Sequence, residues 1–174
     1  DLTAYAPAAG AQGAEAPVVD GDYAAVVRQV NGETVSVEVR AEGLQVVPFE
    51  RTNDDARAII EKHYGTAVPL DRSRLTALHY AFERGGLLIY AAPNAGIHQP
   101  VRIVRWFDGE KQLAAPHTLI VAGDNARLSV IEDCRSGDSD IVVLPAIELL
   151  PGPAAEIRYT TLHRWGDNTR VLGE

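Results

Sequence analysis

The feature that most restricts the fold of this chain is a repeat of short strand-like segments in its second half. Residues 123–130 align with residues 152–159, and both copies contain a turn, a small residue and an alternating strand pattern. An apolar run precedes each turn, at 119–121 and 148–150, with the same offset. A weaker copy, at 95–97, precedes its counterpart at 126–128 by a similar distance. A unit of about 30 residues is typical of one coil of a β-helix, because stacked coils share a continuous core.

The whole segment after Gly86 has the composition of strands. Short runs rich in β-branched and aromatic residues follow one another, separated by Gly, Pro, Asn and Asp. No helical pattern long enough for the crossovers of an α/β sheet interrupts them. The sequence therefore predicts a mainly β fold here. A sandwich or barrel with recurring hairpins remains an alternative to the β-helix on the repeat alone.

The N-terminal part begins with a segment that predicts no secondary structure. Residues 1–19 are rich in Ala, Gly and Pro, which indicates a disordered tail or linker. Two strand patterns follow around Asn31-Gly32, a pair that favours a type I′ hairpin turn because both central residues need a positive φ. A third apolar run, 44–49, is expected to extend this hairpin into a small sheet.

Two helical patterns follow the hairpin. Thr52 and Asp55 have the spacing of a capping box at the start of the first helix, and Asp71 is the expected N-cap of the second. Gly85-Gly86 is expected to end the second helix. The predicted organisation is therefore a tail (1–19), a small α+β module (20–86) and the N-terminal portion of a β-helix core domain (87–174).

Composition and charge argue against several classes of partner. The net charge of −8 disfavours a nucleic-acid-binding surface, since such surfaces concentrate Lys and Arg. No apolar run approaches the ~20 residues needed to span a bilayer, so no membrane association is expected. A single cysteine, Cys134, cannot form an intramolecular disulfide and is typical of a reducing compartment, which predicts the cytoplasm.

Catalytic motifs are absent from the sequence. It has no nucleophile elbow, Walker A sequence or paired metal-ligand motif, so no catalytic residues and no enzyme activity are predicted. His98, His117 and His163 lie in the β-rich part, and His63 and His79 lie on the predicted helices. All five are expected to be surface, turn or half-buried residues, and whether any metal site exists remains open.

Three segments in order along the chain carry a family resemblance. The first is a predicted helix leading into a glycine pair and an extended segment. Its matching residues are Leu75, Ala77, Leu78, Ala81, Phe82, Gly85, Gly86, Tyr90, Pro93, Gly96 and Pro100. The others are 117–132 and 155–165. Together the three segments resemble the SufB/SufD family of iron–sulfur cluster assembly proteins, with SufD favoured, and the last two are similar to successive coils of that family. The resemblance covers roughly residues 50–174.

The resemblance implies a fold, a function and partners. It implies a right-handed parallel β-helix, of which only the first coils are present, preceded by the small α+β module. It implies a non-enzymatic scaffold that handles iron–sulfur clusters in a complex, with no cofactor expected on this segment. A SufC-type ATPase, a SufB/SufD-type partner and a possible homodimer through β-helix edges are the implied partners. Further family segments are missing, so the chain is expected to be a fragment or a reduced member.

The resemblance also singles out Cys134. SufB-type members can carry a cysteine after the Ile-Glu pair that this chain has at 131–132. Such a thiol could accept sulfur or contact a cluster, because thiolates are the usual cluster ligands. The adjacent Glu132 and Asp133 are expected to raise its pKa. A buried structural cysteine is the alternative. At the level of function, the alternatives are a polysaccharide-acting β-helix enzyme and a cupin-like metal-binding barrel.

Overall fold

The computed structural model describes residues 2–10 and 16–173, which form a mainly β protein. Two α-helices are α1 (Asp54–His63) and α2 (Arg74–Phe82), and short 3₁₀ helices cover Leu2–Ala4 and Phe49–Arg51. The strands are β1 (Ala6–Pro7), β2 (Ala25–Val30), β3 (Glu33–Val39), β4 (Leu44–Pro48), β5 (Leu87–Ala91), β6 (Val101–Phe107), β7 (Gln112–Ala114), β8 (His117–Ala122), β9 (Arg127–Ser136), β10 (Ile141–Val143), β11 (Ala146–Pro151), β12 (Glu156–Arg164) and β13 (Arg170–Val171). The mainly β prediction is confirmed.

The strands are distributed over three sheets. Their orders are β1-β7-β10-β13 for the first sheet, β11-β8-β5-β4 for the second and β12-β9-β6-β2-β3 for the third. Consecutive strands β7, β8 and β9 lie in three different sheets, and β10, β11 and β12 then pair with them in the same order. The chain therefore passes through all three sheets before it returns to the first.

The parallel register confirms the repeat found in the sequence. Leu113 pairs with Val142, Leu119 with Glu148 and Val130 with Tyr159, so all three sheets have the offset seen in the aligned segments. The weaker copy at 95–97 also stacks on its counterpart at 126–128, because Gly96 forms a parallel bridge with Arg127.

The same turn recurs at the end of the second sheet in three successive passes. Asn94, Asn125 and Ala154 have φ values of 63°, 59° and 57°. In each pass the next residue donates its N–H to a carbonyl three positions back, and Ala126 to Gly123 is one example. Asn tolerates this left-handed conformation because its short polar side chain can hydrogen-bond locally. Identical turns keep the stacked strands in register.

The main core lies between the sheets. It contains the inward side chains of the second and third sheets, all nearly inaccessible to solvent, such as Val27, Ile89, Ile103, Ile120 and Val130. Alternation along each strand places these residues inside and their neighbours outside. Burial of a Val or Ile side chain contributes about 1.5–3 kcal/mol, so this shared interior is the main source of stability.

The predicted hairpin is confirmed, but its expected third strand is not. β2 and β3 pair antiparallel around Asn31 and Gly32, whose φ values of 51° and 89° fit a type I′ turn. The run 44–49 does not extend this hairpin: β4 instead pairs antiparallel with β5 in the second sheet. β2 also pairs in parallel with β6. Both sequence-distant pairings follow from burial of apolar faces that a short-range pattern cannot assign.

Both predicted helices form, with different caps from those expected. Asn53, rather than Thr52, caps α1 by accepting the Ala56 N–H at 2.8 Å. Ser73, rather than Asp71, caps α2 in a capping box with Thr76. In both cases several cap-forming residues stand close together, and propensity alone does not choose between them.

The division into tail, module and core stays a prediction, although the segments are joined by contacts. Ala6 and Pro7, within the expected tail, pair with Gln112 and Leu113 of β7. Residue 1 and residues 11–15 of that tail lie outside the described residues. The strands of 20–86 pair with those of 87–174 and share one core with them.

The two helices are short. Neither helix in the described ranges is long and apolar enough to cross a bilayer.

Candidate functional site

Cys134 lies inside the space between the three sheets. Its strand, β9, is within the third sheet, and alternation along it turns Leu128, Val130, Glu132 and Cys134 inward. Cys134 is 8% exposed. It borders an internal cavity of about 30 Å³, room for roughly two water molecules. Besides apolar groups, the lining includes Arg105, Glu132, Cys134, Thr161, His163 and Trp165.

A buried ion pair stands beside the thiol. Arg105 on β6 forms a salt bridge through Nη1 with Glu132 Oε1, and both side chains are almost fully buried. Arg105 also donates from Nε to Gln29 Oε1 (2.7 Å) and from Nη2 to Thr118 Oγ1 (2.9 Å). The Tyr159 hydroxyl donates to the second oxygen of Glu132. These bonds compensate the desolvation of the two charges and hold the guanidinium in place.

The surroundings make Cys134 a weak acid. Burial raises the pKa of its thiol above the usual value, and the carboxylates of Glu132 and Asp133 raise it further. The guanidinium of Arg105 opposes this effect. The direction agrees with the sequence-based expectation. The thiol is therefore protonated at neutral pH, and thiolate chemistry here needs the positive charge of Arg105 or a change in the cavity.

A second buried polar cluster joins α2 to the sheets, and the sequence did not predict it. His79 on α2 lies with Nε2 3.0 Å from His117 Nδ1 on β8, and His117 Nε2 lies 3.0 Å from Glu148 Oε1 on β11. His79 Nδ1 is 2.8 Å from the Leu144 carbonyl oxygen. His79 and His117 are both buried, so the expectation of surface or half-buried histidines is wrong for these two. Their mutual hydrogen bonds compensate the burial.

The far end of this cluster is a carboxylate in the protein interior that several donors stabilise. Glu148 accepts N–H groups from Gly65 (2.7 Å), Ala67 (2.7 Å) and Val68 (3.1 Å). Burial raises its pKa, but the hydrogen bonds from His117 and from these N–H groups outweigh burial and lower the pKa overall. Glu148 is therefore ionised at neutral pH.

The hydrogen-bond partners determine which ring nitrogens of His79 and His117 carry hydrogen. The Leu144 carbonyl only accepts, so His79 Nδ1 carries hydrogen. Burial lowers the pKa of His79 to about 4, which leaves its Nε2 free to accept at neutral pH. His117 Nδ1 therefore donates to His79 Nε2, and its other ring nitrogen, Nε2, faces the ionised Glu148.

Aromatic rings enclose His117. The ring centroid of Tyr64 is 4.7 Å from that of His117, and that of Tyr80 is 5.9 Å away. Burial raises the pKa of Tyr80 to about 12, so its hydroxyl stays neutral. The cluster fixes the 64–68 segment and α2 to the second sheet.

A signal for part of this cluster was present in the sequence. In the register of the repeat, Leu119 pairs with Glu148, and residues two apart share a face. Glu148 and His117 therefore lie on the same side of the second sheet. A carboxylate within an otherwise apolar strand required a partner, and the repeat could have identified it. The contact of His117 with His79 involves a distant helix, so the strand repeat could not predict it.

The other predicted residues are dispersed. His98 is exposed, and His163 contacts Trp165 with ring centroids 5.5 Å apart. Within residues 2–10 and 16–173, no group of three or more His, Cys, Asp or Glu side chains has the arrangement of a metal site.

Comparisons with known proteins agree with the resemblance. Residues 105–174 match the family model described as "SUF system FeS cluster assembly, SufBD core domain". The chain is 28% identical over 138 residues to the iron–sulfur cluster assembly SufBD family protein ycf24 of Guillardia theta, which covers 77% of this chain and 28% of that protein. It is 25% identical over 116 residues to a SufBD family protein of Staphylococcus saprophyticus, covering 66% of this chain and 25% of the relative. A relative from Staphylococcus aureus is 23% identical over 137 residues, or 78% of this chain and 30% of its own length.

The chain thus matches the SufB/SufD family over part of its length, and the recognition made from the sequence is confirmed. The aligned region spans between a quarter and a third of the relatives that it matches.

Proposed function

We propose that this chain, which matches the SufB/SufD family, is a non-enzymatic scaffold component of a SUF-type iron–sulfur cluster assembly complex. The match of 105–174 to the SufBD core carries this proposal. The segment contains the inward-facing Arg105, Glu132 and Cys134. A SufD-like role is favoured over a SufB-like one, with Cys134 as the feature that argues for the latter. The lone cysteine supports a reducing compartment, the cytoplasm.

The fold proposed for this scaffold is a right-handed parallel β-helix. The path from β7 through β8 and β9, followed by β10, β11 and β12 on the same sheets, supports a helical coil. The common offset of the β7–β10, β8–β11 and β9–β12 pairs supports it further. Right-handed connection is the general rule for parallel strands. β2, β4 and β5 cover the first coil and bring the N-terminal segment into the same stack.

The proposed role of Cys134 is to accept sulfur from a cysteine persulfide of a donor protein. The Cys134 thiolate attacks the terminal sulfur, the donor S–S bond breaks, and a new S–S bond forms on Cys134. The donor leaves as a thiolate and takes up the proton that Cys134 released, so no other oxidant or reductant is needed. Arg105 beside the thiol favours the transient negative charge. Only one thiol is available on this chain, so cluster assembly needs ligands from elsewhere.

The proposed partners are a SufC-type ATPase and a SufB/SufD-type subunit. The relatives' names place them in iron–sulfur cluster assembly, which supports partners from the same system. The full-length protein should co-purify with both partners when all three are co-expressed. Failure to bind either one would overturn the scaffold role. The two alternatives, a glycan-acting enzyme and a cupin-like barrel, gain no support from the described residues.

The role of Cys134 is tested by sulfur transfer to the full-length protein. After incubation with a persulfidated donor protein, mass spectrometry should find one added sulfur atom on the peptide that contains Cys134. Cys134→Ser should abolish the addition. Arg105→Gln should slow it by about tenfold, because the cation beside the thiol is lost. Circular dichroism would establish that both variants fold.

A matched control moves the thiol to the other face of the same strand. Ser129 lies on β9 at a position that faces away from the core. The double variant Cys134→Ser/Ser129→Cys should accept sulfur no faster than a free cysteine peptide. Equal transfer to residue 129 and to Cys134 would show that position is irrelevant, and the proposal for Cys134 would then be wrong.

A further inference from the structure

An arginine cluster occupies the outer face of the third sheet, away from the cavity beside Cys134. Four adjacent strands contribute one residue each: Arg28 on β2, Arg102 on β6, Arg135 on β9 and Arg164 on β12. Asp133 on β9 lies among them. We call these five residues the arginine face. Register explains the grouping, because Arg135 pairs directly with Arg164.

Asp133 is held by three of the arginines at once. Its Oδ2 lies 2.5 Å from Arg102 Nη2, 2.6 Å from Arg135 Nη2 and 3.3 Å from Arg164 Nη1. Arg135 also donates from Nε to Oδ1 at 3.0 Å, so its contact is bidentate. The Asp133 side chain is fully buried. The face thus already binds one carboxylate in the geometry that guanidinium groups prefer.

One carboxylate does not satisfy this many arginines. Each guanidinium has five N–H donors, and the described contacts use only a few of those on Arg102, Arg135 and Arg164. The side chain of Arg28 makes no hydrogen bond or ion pair with the described residues, and its Nε is buried without a partner. The Nε of Arg102 is also buried and unpartnered. A buried donor without an acceptor is destabilising, so the sheet retains donors that an added acceptor would satisfy.

The charge of this face is opposite to that of the whole chain. The arginine face contains four arginines and one aspartate, whereas the chain has a net charge of −8. Directly opposed like charges, such as Arg135 and Arg164, destabilise a sheet. A cluster of one sign attracts a partner of the opposite sign.

We propose that the arginine face docks an acidic segment of a partner protein, in extended conformation. In the register of the sheet, Arg135 and Arg164 are direct neighbours, whereas Arg102 lies four residues further back, about 13 Å along the strand direction. In an extended segment, side chains at i, i+2 and i+4 point to one side and span about 13 Å. Carboxylates at alternate positions therefore reach from Arg135 to Arg102. The overall negative charge disfavours a long polyanion such as a nucleic acid. This inference does not depend on sulfur transfer at Cys134.

The test measures binding of a labelled peptide of alternating Glu and Ser residues to the full-length protein by fluorescence anisotropy. Arg164 suits substitution because its side chain is 52% exposed and its contact with Asp133 is the longest of the three. Arg164→Glu should weaken binding by about tenfold or more. Binding to the wild-type protein should also weaken as the salt concentration rises.

The matched control is Arg158→Glu. Arg158 lies on the same strand, carries the same charge and is 75% exposed, but its ion pair is with Glu156. This substitution should change the affinity by less than about twofold. Equal loss in both variants, or no peptide binding, would overturn the proposal. Tighter binding of inorganic phosphate or of a single-stranded oligonucleotide, with the same dependence on Arg164, would also overturn it and assign the face to phosphate groups.

Discussion

Individual residues at the repeated turn differ in how well they fit the same backbone. Asn94 and Asn125 occupy the left-handed position in two passes, and Ala154 occupies it in the third with φ of 57°. Alanine has no side-chain group to compensate this conformation, which costs an ordinary L-residue roughly 1–2 kcal/mol. Ala154 is exposed, so the cost arises from the backbone and not from packing.

The substitution Ala154→Asn should therefore stabilise the protein. The expected gain in the free energy of unfolding is about 0.5–1 kcal/mol, because asparagine tolerates the left-handed region better than alanine does. Urea denaturation followed by circular dichroism measures it. The reverse change, Asn125→Ala, should lower stability by a similar amount. An unchanged midpoint in both variants would contradict this interpretation of the turn.

At the scale of elements, α2 is attached to the sheets by polar contacts as well as apolar ones. Leu75, Leu78 and Phe82 pack against a small core cluster. His79 adds the buried connection through His117 to Glu148. The positive charge of Arg105 has a weaker effect that also lowers the pKa of His79. The attachment of the helix is therefore sensitive to protonation.

This connection predicts a loss of stability in mild acid. Folded His79 stays neutral down to about pH 4, whereas a histidine in the unfolded chain takes up a proton near pH 6.5. Between these values the unfolded state binds more protons, so the free energy of unfolding falls as the pH falls. Protonation of Glu148, whose folded pKa is lowered, acts in the same direction at the acid end. The part due to His79 is on the order of 2–3 kcal/mol.

The measurement compares urea midpoints of wild type and His79→Asn between pH 7 and pH 4.5. The variant should be less stable at pH 7 but should lose much less stability on acidification. His98→Asn, at an exposed position, is the control and should keep the wild-type dependence. If His79→Asn retained the full dependence, the histidine connection would not be its cause.

The elements themselves were largely predictable, and their partners were not. The Asn31-Gly32 turn fixed the hairpin, and the spacing of apolar residues located both helices. The pairing of β4 with β5 was missed, because an apolar strand carries no information on which distant edge it completes. Cys134 lies in the part of the chain that the sequence predicted to be β-rich. The neighbours that set its pKa include Arg105, which is distant in sequence but directly paired with Cys134 in the sheet.

At the scale of the whole molecule, one interior joins the N-terminal strands to the repeats. Ala25 and Val27 of β2 belong to the same core as Ile103 and Val130. Unfolding of the hairpin would expose the first repeat, so the two parts are energetically coupled. A boundary near residue 86 that separated independent domains would give two transitions instead.

We expect a single unfolding transition. Tryptophan fluorescence reports on Trp106 and Trp165 in the repeats, and far-ultraviolet circular dichroism reports on the whole chain. Their midpoints should coincide. Val27→Ala should lower both together, by about 1–3 kcal/mol in stability, since its side chain is fully buried. Val35→Ala, at an exposed position, should have little effect. Separate transitions, with only one shifted by Val27→Ala, would support the domain boundary.

The sequence by itself determined the class of fold, the hairpin, the two helices and the repeat that sets strand register. These depend on local backbone preference and on the period of side chains along a strand, which are properties of neighbouring residues. Only the tertiary structure decided that His79 meets His117 and Glu148, that Arg105 stands beside Cys134, and that four arginines share one face. The contacts between strands arise because stacking places residues about 30 positions apart within a few ångströms. His79 comes instead from a helix packed on the second sheet, and burial selects the partners that satisfy these polar groups.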